Sequence, residues 1–193
     1  MRLFFLEDEG TIESVTSAAN AKSTSLLDEL IRDSSNLVYI TSNKSPEQLE
    51  PLTKKFSTRV GYIAENGCFK REIGSSKWET LADMDKTRDW RNGIRKVIEY
   101  FQARTEGSWM EERRCLLTFW YKDALDPEIA ARQASELADQ ISGSSGSEAI
   151  RVVLTDGAVS VEPLDVTKAT AAESIVRNLP SNQKPDFLFV AGG

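Results

Sequence analysis

Short apolar runs rich in β-branched and aromatic residues recur along the chain. They predict strands at residues 3–6, 37–41, 60–64, 116–121, 150–154, 159–161 and 187–190. The stretches between them carry helical periodicity. Residues 25–32 set Leu26, Leu27, Leu30 and Ile31 on one face. Ser45-Pro46-Glu47-Gln48 has the form of a helix start: a hydroxyl cap, proline at the first position, and glutamine three residues after the cap. Longer amphipathic patterns cover 86–104, 127–141 behind the cap Asp126, and 167–179 ahead of Pro180.

Strand and helix alternate through the first half, which predicts a parallel α/β sheet of Rossmann-like form. The middle follows another rhythm. A strand and a helix lead to two strands joined by Asp156-Gly157, a good hairpin signal. The expected organisation is a core from 1–104 and 164–193, with an α+β cap from 105–163 inserted into it.

The chain has 193 residues, 40% of them hydrophobic, enough for the core of one ordinary domain and a small insertion. Its 30 acids outnumber its 24 basic residues, for a net charge of −6. No long Lys/Arg cluster offsets this, so neither nucleic acid nor a membrane is expected as a partner. The run at 3–6 is too short for a signal peptide or a membrane span, which makes the cytoplasm the expected location. Cys68 and Cys115 have strand-like surroundings and read as buried reduced thiols, with a disulfide as the alternative. There is no histidine, so Ser-His and Cys-His chemistry is excluded and no zinc site is expected. Any catalysis falls to carboxylates, lysine, a hydroxyl or a metal.

The candidate chemistry lies at the end of the first strand, in Leu6-Glu7-Asp8-Glu9-Gly10-Thr11. Acids at the carboxyl end of a buried strand stand where open α/β sheets hold ligands. By itself the run reads first as a solvated acidic turn. It resembles the first motif of the haloacid dehalogenase superfamily, Asp-x-Asp-Gly-Thr, with glutamates in place of both aspartates. Other segments follow in order. Ile40-Thr41-Ser42-Asn43 stands for Ile-Ser-Gly-Arg, and Gly61-Tyr62-Ile63-Ala64-Glu65-Asn66-Gly67-Cys68-Phe69 for Gly-Leu-x-Ala-Glu-His-Gly-x-Phe. Thr105-Glu106-Gly107-Ser108-Trp109-Met110-Glu111 stands for Thr-Pro-Gly-Ser-aromatic-x-Glu. Ala131-Arg132-Gln133-Ala134-Ser135-Glu136-Leu137 and the segment 159–168 complete the series. Together they resemble the trehalose-6-phosphate phosphatase branch of that superfamily over nearly the whole chain.

The resemblance implies phosphoryl transfer with Mg²⁺ as cofactor. Glu7 takes the nucleophile position and Glu9 the acid/base position, and both are metal positions. Thr41 and Lys168 take the phosphate-binding positions. Glu65, Glu111 and Arg113 take sugar-binding ones. Each glutamate adds a methylene, which moves the reactive oxygen by about 1 Å and can cost about a hundredfold in rate. Other departures accompany these: Ser42-Asn43 for Gly-Arg, Asn66 and Trp120 for histidines, Ser160 for glutamate, and Glu162 for arginine. An acidic fourth motif should follow 187–190, yet Gly193 stands at its first acid, and the chain reads as a fragment. The expectation is a catalytically degenerate phosphatase-like domain. Its role would be regulatory or scaffolding, among protein subunits of a trehalose synthase/phosphatase complex. The alternatives are a weak Mg²⁺-dependent phosphatase and a sugar-phosphate sensor without turnover.

Overall fold

Alternation at the start of the chain is realised directly: Leu3 and Phe5 are buried in strand β1 (Arg2–Glu7), while Arg2 is exposed. The structure, a computed structural model, describes residues 1–9, 12, 17–144, 149–181 and 184–192. Helix α1 (Ser17–Arg32) follows, then β2 (Asn36–Thr41), α2 (Glu50–Phe56) and β3 (Gly61–Ala64). A short 3₁₀ turn, Glu65–Gly67, leads to β4 (Phe69–Arg71) and β5 (Glu79–Thr80). Next come α3 (Met84–Gln102), β6 (Trp109–Glu112), β7 (Leu117–Trp120) and α4 (Pro127–Ser142). The chain continues through β8 (Ile150–Thr155), β9 (Ala158–Pro163), α5 (Lys168–Asn178) and β10 (Phe187–Ala191).

These elements form two compact units. The first, Met1–Leu81 with Val166–Gly193, holds a sheet in the order β10-β1-β2-β3-β4-β5. Its four strands from β10 to β3 run parallel, and β4 and β5 add an antiparallel edge. The fold is therefore α/β with a parallel core, but the parallel sheet expected from the alternation stops at β3. Leu3, Phe5, Tyr39 and Ile63 of the sheet pack with Ala171 and Ile175 of α5. Burial pushes the Tyr62 hydroxyl up to about 12.

The second unit, Ala82–Asp165, holds an antiparallel sheet in the order β6-β7-β9-β8, with the β8–β9 hairpin turning at Asp156-Gly157. Trp90, Ile94, Ile98 and Phe101 of α3 join Leu137 and Ile141 of α4 against Leu117, Phe119, Val159 and Val161. This unit begins at Ala82, upstream of the boundary at 105 that the sequence suggested. The reason is the stripe on α3, whose apolar residues are spaced to fill this core. Cys68 and Cys115 are buried, one in each unit, and neither is in a disulfide. No helix among the described residues is long and apolar enough to cross a membrane.

The helices start where caps allow. Asp83 and Asp126 accept backbone N–H bonds at the heads of α3 and α4. Ser45 and Gln48 form the reciprocal capping bonds that the sequence predicts, Ser45 N–H to Gln48 Oε1 at 2.9 Å and Gln48 N–H to Ser45 Oγ at 3.2 Å. The regular helix nevertheless begins only at Glu50, after a turn. α1 begins well before the expected residue 25, because the segment Ser17-Ala18-Ala19-Asn20-Ala21 has strong helix formers but no apolar periodicity.

Candidate functional site

Parallel pairing sets Glu7 of β1 opposite Thr41 of β2, at the carboxyl ends of both strands. Asp8 continues the pairing by donating its N–H to the Thr41 carbonyl at 2.8 Å. Ser42 likewise donates its N–H to the Ile63 carbonyl at 2.9 Å. The same end of the sheet receives the head of α5. There Thr167 caps the helix, accepting the Thr170 N–H at 3.0 Å and donating its own N–H to Thr170 Oγ1 at 2.8 Å. Lys168 is the first residue of that helix, a position the helix dipole disfavours for a cation. Its Nζ forms an ion pair with Glu7 Oε1, which offsets that cost. Glu7, Thr41 and Lys168 together line one end of a cleft of about 800 Å³, whose apolar walls include Phe5, Ala172 and Val190.

The three consecutive acids take three different partners. Glu7 meets Lys168. Exposed Glu9 accepts a bond from Asn43 Nδ2 at 3.0 Å. Asp8, with no exposed side-chain surface, is paired with Lys44 Nζ at 2.9 Å and accepts a longer bond from Ser42 Oγ at 3.4 Å. Asn43 and Ser42, which replace the arginine and glycine of the resemblance, thus each contact an acid of the first motif. Asp8 and Lys44 were not singled out in the sequence, where a buried acid and a solvated one look alike.

Lys44→Met is expected to destabilise the protein by about 2–3 kcal/mol. Removing one partner of a buried pair typically costs about 3–5 kcal/mol. The lower figure applies because Lys44 keeps 22% of its side chain exposed. Urea denaturation checks this. The double variant Asp8→Asn, Lys44→Met should recover a good part of the loss, and two independent additive losses would overturn the pairing account.

Mg²⁺, which the resemblance implies, requires convergent hard oxygens in octahedral geometry. Here separate donors hold the three carboxylates, and among the described residues no three Asp, Glu, His or Cys side chains gather around one point. Gly10, Thr11 and Gly193, the other motif positions, lie outside the described residues.

The residues expected to bind sugar divide between the units. Glu65 belongs to the first and is fully buried, with φ of 43° and its N–H donated to the Lys44 carbonyl at 2.9 Å. Its buried side chain sits in the loop that follows β3, at the carboxyl end of the sheet. Asn66 and Gly67 continue the left-handed run, at φ of 53° and 113°. In the second unit Arg113 Nε donates to Glu111 Oε1 at 2.9 Å, and Trp120 Nε1 donates to Glu111 Oε2 at 2.9 Å. Those two sugar-binding candidates are therefore brought together.

Comparison with known proteins agrees with this layout. The trehalose-phosphatase family profile matches residues 6–193. A trehalose-phosphatase of Schizosaccharomyces pombe is 31% identical over 99% of this chain, which covers 24% of that protein. A second protein of that yeast is named as the 100 kDa subunit of an alpha,alpha-trehalose-phosphate synthase. It is 36% identical over 87% of this chain, and the match covers 19% of it. The chain thus spans about a quarter or less of these relatives. Among solved structures, the C-terminal domain of C. albicans trehalose-6-phosphate phosphatase superposes with a TM-score of 0.85 at 28% identity, covering 99% of this chain and 69% of that one. A family match that runs from residue 6 to residue 193 takes in both units, and the chain belongs to the trehalose-phosphatase family.

Proposed function

We propose that this chain is a catalytically degenerate trehalose-phosphatase domain with a regulatory or scaffolding role in trehalose biosynthesis. It would work in the cytoplasm among protein subunits of a trehalose synthase/phosphatase complex. One observation carries the reading: the ion pair that engages Glu7 with Lys168, beside a Glu9 turned to Asn43. A nucleophile must reach phosphorus within about 3–3.5 Å and in line. A lengthened carboxylate held by the lysine that should bind phosphate is poorly placed for that. The likeness to a protein named as a synthase subunit supports the partner half of the reading.

A second reading, a weak phosphatase or a sensor of sugar phosphates, draws support from Thr41 and Lys168 beside Glu7 in the cleft. Phosphate release from trehalose-6-phosphate with Mg²⁺ separates the two. The expected rate equals that of a Glu7→Ala control. A rate more than about tenfold above it replaces the first reading with the second.

A further inference from the structure

The six-stranded sheet of the first unit ends on β10, and among the described residues no strand pairs with the outer edge of β10. Its sequence, Phe187-Leu188-Phe189-Val190-Ala191, holds no charge and no proline, the usual devices that keep exposed edges from pairing. Phe187, Leu188, Phe189 and Val190 are each between 44% and 68% exposed. A parallel strand that is apolar on both faces is written for a place inside a sheet. Leu188 and Val190 line the cleft beside α5. On the other face Phe189 lines a second cleft, of about 710 Å³, with Leu26, Leu27 and Leu30 of α1. The Phe4 ring stands 6.0 Å from those of both Phe187 and Phe189, an aromatic row that runs up to the edge. The opposite edge of the sheet differs: β5 is only Glu79-Thr80, short and polar.

We propose that β10 is a self-association edge, at which a second copy of this chain pairs antiparallel about a twofold axis through Phe189. Antiparallel pairing is what a twofold axis imposes when one edge meets itself. It sets Phe189 opposite Phe189 of the second copy, and Leu188 opposite Val190 of the second copy, so each face meets its like. The outward N–H and C=O groups of β10 gain the partners that water otherwise supplies. The area is sufficient. At their exposures, Phe187, Leu188, Phe189, Val190, Leu26 and Val176 leave about 500 Å² of side chain uncovered. Two copies bring about 1,000 Å² before paired backbone is counted, the size at which specific interfaces begin. The β5 edge offers β10 neither length nor apolar surface, so copies close as a pair and do not grow into a filament.

This inference goes beyond the proposed function and needs neither turnover nor sugar. It is tested on the full 193-residue chain by sedimentation velocity. From about 1 to 100 μM, where interfaces of this size associate, the mass is expected to rise from 21.5 kDa to twice that value and stop there. Val190→Lys, which puts a charge on the edge, should raise the apparent dissociation constant at least about tenfold. Thr80→Lys, at the other edge, should leave it unchanged. Two cysteine variants read the register under a mild oxidant. Phe189→Cys brings two thiols face to face across the axis and should give a disulfide-linked pair. Leu188→Cys, which stands two residues out of step with its own copy, should not. A single-chain mass throughout, masses that climb past two copies, a pair unaffected by Val190→Lys, or cross-linking at 189 no greater than at 188 overturns the proposal. Should the lysine variant fail to fold, the parent mass and the two cysteine variants decide. Phosphate release bears on the degenerate reading, and self-association on this one, so either can fail without the other.

Discussion

Gly67→Ala is expected to destabilise the protein by about 3 kcal/mol or more. Two physical costs add at this position. Its φ of 113° lies where side chains are strained, which costs about 1–3 kcal/mol. A Cβ there would also stand 2.2 Å from the Thr167 carbonyl oxygen and 2.4 Å from its carbon. Those are backbone atoms of the cap of α5, so relief requires moving the helix head that carries Lys168. Overpacking of this kind typically costs about 1–3 kcal/mol by itself. Gly93 provides the opposite case. It lies inside α3, and a Cβ there would meet nothing within 4 Å. Gly93→Ala should therefore stabilise by about 0.5–1 kcal/mol through helix propensity. Paired urea titrations with unchanged slopes check both signs. A loss below about 1 kcal/mol for Gly67→Ala would mean that the close approach to Thr167 is not what seats Lys168.

The contrast between these two glycines also indicates what a single sequence can carry. The seven strands predicted from apolar runs are all present, because a strand that pairs in a sheet and packs at least one face on a core is written as a short apolar, β-branched run. β4 escaped the pattern. Lys70 and Arg71 are buried there through pairing, Lys70 with Glu72 at 2.8 Å and Arg71 over the Tyr62 ring at 4.8 Å. A hydrophobicity pattern reads such residues as solvated. β6 was missed for a related reason, since its Trp109-Met110-Glu111-Glu112 mixes apolar and acidic residues. At the site, Glu7, Thr41 and Lys168 were legible from their places at strand ends and a helix head, together with the family resemblance. The pairing of Asp8 with Lys44 was not, because it joins two loops through a contact that local spacing does not encode. The burial of Glu65 was hidden for the same reason: its motif suggests a ligand contact, while its backbone conformation and surroundings arise from the fold.

Restoring both aspartates is the most demanding test of the degenerate reading. The double variant Glu7→Asp, Glu9→Asp is expected to release phosphate from trehalose-6-phosphate at least about a thousandfold more slowly than ordinary enzymes turn over, near 10 s⁻¹. Shortening Glu7 withdraws its carboxylate from Lys168 by about 1 Å, the scale on which near-attack geometry is lost or gained. It does not change what surrounds the site. Lys44 still draws Asp8 to the far side, and Asn43 still occupies the place of an arginine. Gly192 lies against the stem of Glu7, where an added Cβ would come within 2.6 Å of the Glu7 Cβ, so that wall of the site is set by backbone. A transferring phosphoryl group needs its charge neutralised from several directions at once. Two corrected side-chain lengths do not restore the cation that Asn43 replaces. Turnover near 1 s⁻¹ in the double variant would place the whole defect in two methylenes and return the domain to the active phosphatases.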